Sequence, residues 1–211
     1  MIDACISGGA VGADATFDEF AFKANHTVIH CSFRGHRHAP GLRGVVRAYD
    51  PRDLSAADPY LHDIAKKIGR RFSTRKAYVA SLLRRNYFIV SPVSTVYAVG
   101  WLDEEGGVEG GTAWGVAQAV GQVPVFFYCQ HRDRWFSADV NYGDWVYMDA
   151  RDVYEPSGIY AGIGSRRLTE SGRAAIETLY TTPVMTAEDH ERAFREMLER
   201  ARRASEERPN Q

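Results

Sequence analysis

The 211-residue sequence has no apolar run approaching the ~18 residues that a membrane-spanning helix needs. Nothing near Met1 reads as a charged stretch followed by an apolar one, the pattern of a secretory leader. These absences predict a soluble, cytoplasmic protein with no membrane partner. Cysteine is scarce: Cys5, Cys31 and Cys129 are three in number, so they cannot all pair, and each lies in an apolar stretch that reads as a strand. Reduced, buried thiols are expected. Internal repeats, low-complexity tracts and long linkers are also missing. So are both standard phosphate motifs: no glycine loop ends in Gly-Lys-Ser/Thr, and Gly8-Gly9 with Gly12 lacks the dinucleotide-binding spacing.

What is present is globular. Hydrophobic residues make up 45% and charged residues 25%, values that exclude wholesale disorder, and the length suits one substantial core. The net charge of -1 hides an asymmetry: residues 31–90 hold 13 Lys/Arg against 4 Asp/Glu, and the remainder holds 13 against 23. A phosphorylated ligand or a nucleic acid explains such a basic segment, as does a solvated face balancing an acidic one.

Apolar runs alternate with turn signals in the order strand, helix, strand. Strands are predicted near residues 2–6, 27–33, 95–101, 124–129 and 159–163, with a hairpin over 134–148. Helices are predicted over 13–23, 59–69, 74–90, 113–120 and 169–180, the Phe88-Ile89-Val90 end being ambiguous between helix and strand. Arg34–Asp58 reads as one long loop rich in Arg, His, Gly and Pro. The fold class is α/β: a Rossmann-like, mostly parallel sheet with helices on both faces over residues 1–183. Residues 184–211 read as a C-terminal amphipathic helix, capped by Thr186, with a tail.

Three segments share one grammar: an apolar strand, a turn of glycine and small hydroxyl residues, then a helix. They are Ser7-Gly8-Gly9-Ala10-Val11-Gly12-Ala13-Asp14, then Gly110-Gly111-Thr112, then Gly162-Ile163-Gly164-Ser165-Arg166. A parallel sheet brings such turns to one edge, where ligands bind. Glycine lets backbone N–H groups approach an anion, and the following helix adds free donors and the positive end of its dipole. Each glycine alone equally serves a tight turn; three such turns together point to a site.

The combination of SGGAVGAD at Ser7–Asp14, RRNYFIV at Arg84–Val90, VEGGTAWGVAQAVGQVPV at Val108–Val125 and YAGIGSR at Tyr160–Arg166 resembles the SLOG superfamily. That group joins the LOG-type phosphoribohydrolases, DNA-processing protein A and the YpsA-related proteins. The resemblance spans roughly residues 1–166, with a gap over Arg34–Asp58 and the hairpin. Family members begin with the GIGSR-type strand, which here comes last, so the chain is similar to the circularly permuted YpsA branch. A permutation of this kind requires the strands at residues 2–6 and 159–163 to be neighbours.

The resemblance implies a sheet whose loops hold a nucleotide or a nucleotide derivative. Ser7, Gly8, Gly9, Gly12 and Asp14 match the first ligand loop, Gly110, Gly111 and Thr112 the phosphate loop, and Gly162, Gly164, Ser165 and Arg166 the third. Asp14 suits a ribose hydroxyl or a helix cap better than phosphate, because its charge repels an anion. Arg166 with one of Arg84 or Arg85 suits bidentate phosphate contacts, or surface ion pairs. Trp101 is placed to stack on a base or to pack under a loop, and Arg34, His36 and Arg37 to line the ligand entrance. His30, Cys31, His36 and His38 lack a zinc-site spacing, so no metal is expected, and no cofactor.

One departure from the family bears on activity. LOG-type enzymes carry carboxylates two and three residues after the threonine of the glycine loop, where this chain has Trp114 and Gly115. Hydrolysis would have to use Asp14, Asp103, Glu104 or Glu105 instead, so no catalytic residue is assigned. The expected function is recognition or sequestration of a nucleotide-derived phosphorylated ligand, a signalling nucleotide for instance, by a homo-oligomer. The alternatives are N-glycosidic hydrolysis of a nucleotide and single-stranded nucleic-acid binding, with nucleic acid the less favoured partner.

Overall fold

Strong strand formers at the centre of the chain set the architecture. In the computed structural model, which describes residues 2–138 and 141–181, the run Val125–Cys129 is wholly buried, as is all but the first residue of Thr95–Gly100. The strands are β1 (Ala4–Ser7), β2 (Thr27–Phe33), β3 (Val45–Tyr49), β4 (Thr95–Gly100), β5 (Val125–Cys129), β6 (Arg134–Ser137), β7 (Val146–Met148) and β8 (Ile159–Gly164). They form one sheet in the order β3-β2-β1-β8-β4-β5-β6-β7. The first six in that order run parallel, and β6 and β7 add an antiparallel hairpin at one edge. The fold is a Rossmann-like α/β sheet, as the alternating pattern predicts.

Helices α1 (Ala13–Lys23) and α6 (Glu170–Thr181) cover one face of the sheet. Helices α3 (Asp58–Lys67), α4 (Ala77–Val90) and α5 (Thr112–Ala119) cover the other, while the short α2 (Pro51–Ser55) follows β3. The period-2 alternation of the strands sorts the core between them: Val96 and Ala98 face α3 to α5, whereas Tyr97 and Val99 face α1 and α6. Phe17 of α1, fully buried, lies where a Cβ at Gly162 would sit 2.5 Å from its ring. That glycine therefore lets α1 settle directly on β8. Cys5, Cys31 and Cys129 are free and buried in β1, β2 and β5. No helix among the described residues is long and apolar enough to cross a membrane.

β1 lies beside β8, in parallel register from Ala4↔Ile159 to Ile6↔Ala161. The residues between Arg34 and Asp58 are not one long loop, however. They contain β3, paired with β2 from Ile29↔Val45 to Phe33↔Tyr49, and α2. β3 escaped the alternation pattern because it is an edge strand with Val45 and Val46 half exposed or more. α2 did carry a signal. Asp50 precedes Pro51, and its carboxylate accepts from the N–H groups of Arg52 and Asp53 at 2.8 Å, the N-cap followed by proline that starts a helix. The Phe88-Ile89-Val90 end is helical. The expected C-terminal helix over 184–211 and its Thr186 cap lie outside the described residues.

Candidate functional site

After β3 the chain crosses through α2, α3 and α4 to β4 on the far side of β8, and β8 returns between β1 and β4. A reversal of strand order opens a crevice at the carboxyl ends of the strands. A cavity of about 410 Å³ lies there. Nine of the residues expected from the sequence line it: Asp14, Arg85, Trp101, Gly110, Gly111, Thr112, Gly164, Ser165 and Arg166. Ser7, Gly8, Gly9, Gly12 and Arg34 do not.

The three glycine loops differ in what they leave open. The N–H of Ala13 at the start of α1 donates to the Ser165 carbonyl at 3.0 Å, and Asp14 places a carboxylate in the same turn. Gly12, at φ +95°, would put a Cβ 2.4 Å from that carbonyl, so the first loop is closed by packing against the third. At the start of α6, Gln130 accepts from the Thr169 N–H at 2.7 Å, and the Thr169 hydroxyl accepts from Gly172. Neither helix end is free for an anion. The loop before α5 is different. A Cβ at Gly110 or Gly111 would meet nothing within 4 Å, and the first N–H groups of a helix have no partner within it. Arg70 holds this loop from behind, donating to the Gly110 carbonyl at 2.6 Å and the Val108 carbonyl at 2.9 Å. Nothing in the spacing of Arg70, 40 residues upstream, marks it for that role.

Glycines 8 and 9 serve the scaffold. A Cβ at Gly8 would sit 1.3 Å from Nη1 of Arg85, so the guanidinium lies directly over this residue. At Gly9, φ is +60° and a Cβ would meet Leu42, His30 and His38 within 3.1 Å. Its N–H donates to Ser7 Oγ, and its carbonyl accepts from Ala39. Ser7 in turn belongs to a buried cluster beneath the loop: its hydroxyl donates to Asp18 at 3.0 Å, and His30 Nδ1 lies 3.2 Å from the same carboxylate oxygen. His30 Nε2 donates to the Arg43 carbonyl at 2.6 Å. With Ser7 and His30 fully buried, the trio braces β1 against β2 and offers no accessible nucleophile.

The charges in the cavity are unevenly committed. Arg84 pairs bidentately with Asp58 away from it, so Arg85 is the arginine of the pair that lines it. Arg85 is only 5% exposed, its Nη1 stands 3.7 Å from Asp14, and its Nε has no partner among the described residues. Asp14 accepts from the Gly164 N–H at 3.1 Å. Burial pushes the Asp14 carboxyl up to about 6 against the opposing pull of Arg85, and Asp18 one turn away adds to the rise. Arg166 and Arg167 are exposed at the rim. Trp101 presents an indole whose Nε1 lacks a hydrogen-bond partner among the described residues, and it lies parallel to His131 at 6.1 Å. Sequence reasoning missed Glu109, Asn86 and the apolar wall of Val79, Leu82 and Leu83. Glu109 adjoins the glycine loop and carried a legible signal; the wall residues needed the placement of α4.

Asp14 has a consequence for stability. Between its ordinary value of 3.8 and about 6, the folded protein holds a proton that the unfolded chain has lost, so stability falls as pH rises through that window and levels off above it. Asp18, raised by burial, adds in the same direction. In urea unfolding the protein should be more stable at pH 4.5 than at pH 7 by ~2 kcal/mol, since keeping a proton to one pH unit higher is worth ~1.4 kcal/mol and about 1.5 pH units of the window lie above pH 4.5. Asp14→Asn, which keeps the side chain neutral at every pH, should flatten much of that dependence and hold the fold near pH 7 about as stable as the parent is at pH 4.5.

Comparison of the chain with protein-family models, with curated proteins and with solved structures gives no match.

Proposed function

We propose that the protein binds a nucleotide or nucleotide-derived phosphorylated small molecule in the crevice beside β8. The carrying observation is the Gly110-Gly111-Thr112 turn, open toward a cavity that also holds the buried Arg85 and the rim residues Arg166 and Arg167. A phosphate against the start of α5 meets backbone donors and the positive helix end, and guanidinium forks face it across the cavity. Trp101 and the Leu82–Leu83 wall supply apolar surface for a base. The SLOG-type reading, in a circularly permuted order, is supported by the pairing of β1 with β8. On this reading the protein is cytoplasmic and oligomeric, and sedimentation velocity tests the second point.

Part of the basic segment is committed within the fold, Arg70 to the glycine loop and Arg84 to Asp58, and Arg85 is buried in the cavity wall. This favours a small ligand over a nucleic-acid strand, whose binding would weaken steeply with added salt.

A second reading, hydrolysis of a nucleotide N-glycosidic bond, is favoured by the two carboxylates that line the cavity, Asp14 and Glu109. Against it, Trp114 is buried beside Phe72, and a Cβ at Gly115 would press on Ile163 at 2.8 Å, so the helix start supplies no acid or base. Asp103 accepts from the Glu105 and Gly107 N–H groups in its own turn, and Glu104 and Glu105 do not line the cavity. General acid-base assistance contributes ~100- to 10,000-fold, so a ligand bound without it should be held and not cleaved. In equilibrium dialysis at least one of the four common nucleoside 5'-monophosphates should bind, and chromatography after hours should show it intact. Failure of all four to bind would sink the proposal; steady release of free base, lost in Glu109→Gln, would install the hydrolase reading.

A further inference from the structure

A second cavity, of about 550 Å³, adjoins the first. Ala10 and Arg166 border both, so the two meet across one arginine. Their linings differ in charge. The first includes the carboxylates Asp14 and Glu109, whereas the second includes Arg37, Arg166 and His38 and no carboxylate at all. Neither Arg37 nor Arg166 is in an ion pair among the described residues. Two cations therefore face this space without a counter-charge.

His38 of this lining, and its neighbour His36, which does not itself border the cavity, are similarly unspent. His36 and His38 meet edge to face, their centroids 4.6 Å apart, and both ring nitrogens of His36 and Nε2 of His38 are buried without a hydrogen-bond partner among the described residues. Burial, with Arg85 and His38 adding to it, pushes His36 down to about 3, and burial lowers His38 as well. Near neutral pH both rings are uncharged, and each still carries one N–H donor. Buried donors beside unpaired guanidiniums, with no acceptor supplied by the chain, match the chemistry of an anion. The Gly9 packing already described fixes His38 in place through the β1 loop.

Resting on the nucleotide reading above, we infer that the second cavity takes a second anionic group of the same ligand. The ligand class is then a nucleotide carrying two separated phosphoryl groups, one against the Gly110–Thr112 turn and one between Arg37 and His38, with Arg166 between them. A base held against the exposed Tyr78 is the competing occupant of this cavity, and the test separates the two.

The probes are the 5'-monophosphates and 3',5'-bisphosphates of the four common nucleosides, titrated calorimetrically into the full chain. For the preferred base, the bisphosphate should bind ~10-fold or more tightly than the monophosphate, the gain of one charge-assisted phosphate contact. Arg37 is exposed, so Arg37→Ala should fold normally; it should remove most of that advantage and leave monophosphate affinity within about twofold. His38→Ala should act in the same direction. Equal affinity of the two probe classes for the unaltered protein would overturn the inference and leave the nucleotide reading standing. So would an Arg37→Ala variant that weakens both classes alike, the result a base in this cavity would give. Absence of binding by every probe would overturn both.

Discussion

Gly111→Val should abolish nucleoside 5'-monophosphate binding while the protein remains folded, with a melting temperature within a few degrees of the parent. Two features of this residue separate binding from folding. Its backbone is ordinary, at φ -74°, so a side chain adds no strain, and a Cβ there meets nothing within 4 Å. The added atoms fill the space in which a phosphate must approach the first N–H groups of α5. Losing those contacts should cost at least ~100-fold in affinity, two or more charge-assisted hydrogen bonds at ~1.5–3 kcal/mol each. Titration calorimetry beside a thermal melt reads both quantities on one sample. Binding retained at full strength would move the phosphate away from this turn.

The opposite outcome is expected at the end of the neighbouring strand, β8. Gly164→Ala should destabilise the fold by ~4 kcal/mol or more, because its Cβ would lie 2.2 Å from the Val99 carbonyl oxygen and 2.7 Å from Ala13 Cβ. Neither neighbour can step aside. Val99 belongs to the β4–β8 ladder, and its carbonyl accepts from the Ser165 N–H at 2.8 Å, while Ala13 anchors α1 to the same loop. Substitution thus forces apart the central pair of strands and the helix covering them. Denaturant unfolding measures the effect, and a midpoint unchanged from the parent would show that this approach is looser than the geometry states. Gly164 closes strand β8 and Gly111 caps helix α5 in two loops of similar sequence, yet one is a packing glycine that also borders the cavity and the other a clearance glycine.

That contrast shows where the sequence was legible. Buried parallel strands announce themselves as continuous apolar runs, so β1, β2, β4, β5 and β8 were readable, along with the edge at which their turns gather. β3 was not, because Val45-Val46-Arg47-Ala48-Tyr49 is an exposed edge whose pairing comes from β2 and not from its own pattern. Of the site, the residues at the α5 turn and Arg166 could be named in advance. Whether a glycine faces ligand or scaffold could not, since this depends on what lies across from it: Arg85 over Gly8, Leu42 and the histidines beside Gly9, and Ser165 against Gly12. Arg70 and the Ser7–Asp18–His30 brace were illegible for the same reason, joining residues many positions apart through the fold alone.

The most direct test of the ligand site is a two-dimensional amide spectrum of the isotopically labelled full chain, recorded as the best-binding nucleoside 5'-monophosphate is added. The largest changes in amide position should fall on Gly110, Gly111, Thr112 and Ser165, with the amides of Val45–Tyr49 at the far edge of the sheet unmoved. Changes gathered on the basic residues of that edge, or an unchanged Gly110–Thr112 turn at saturating nucleotide, would contradict a phosphate site at the start of α5.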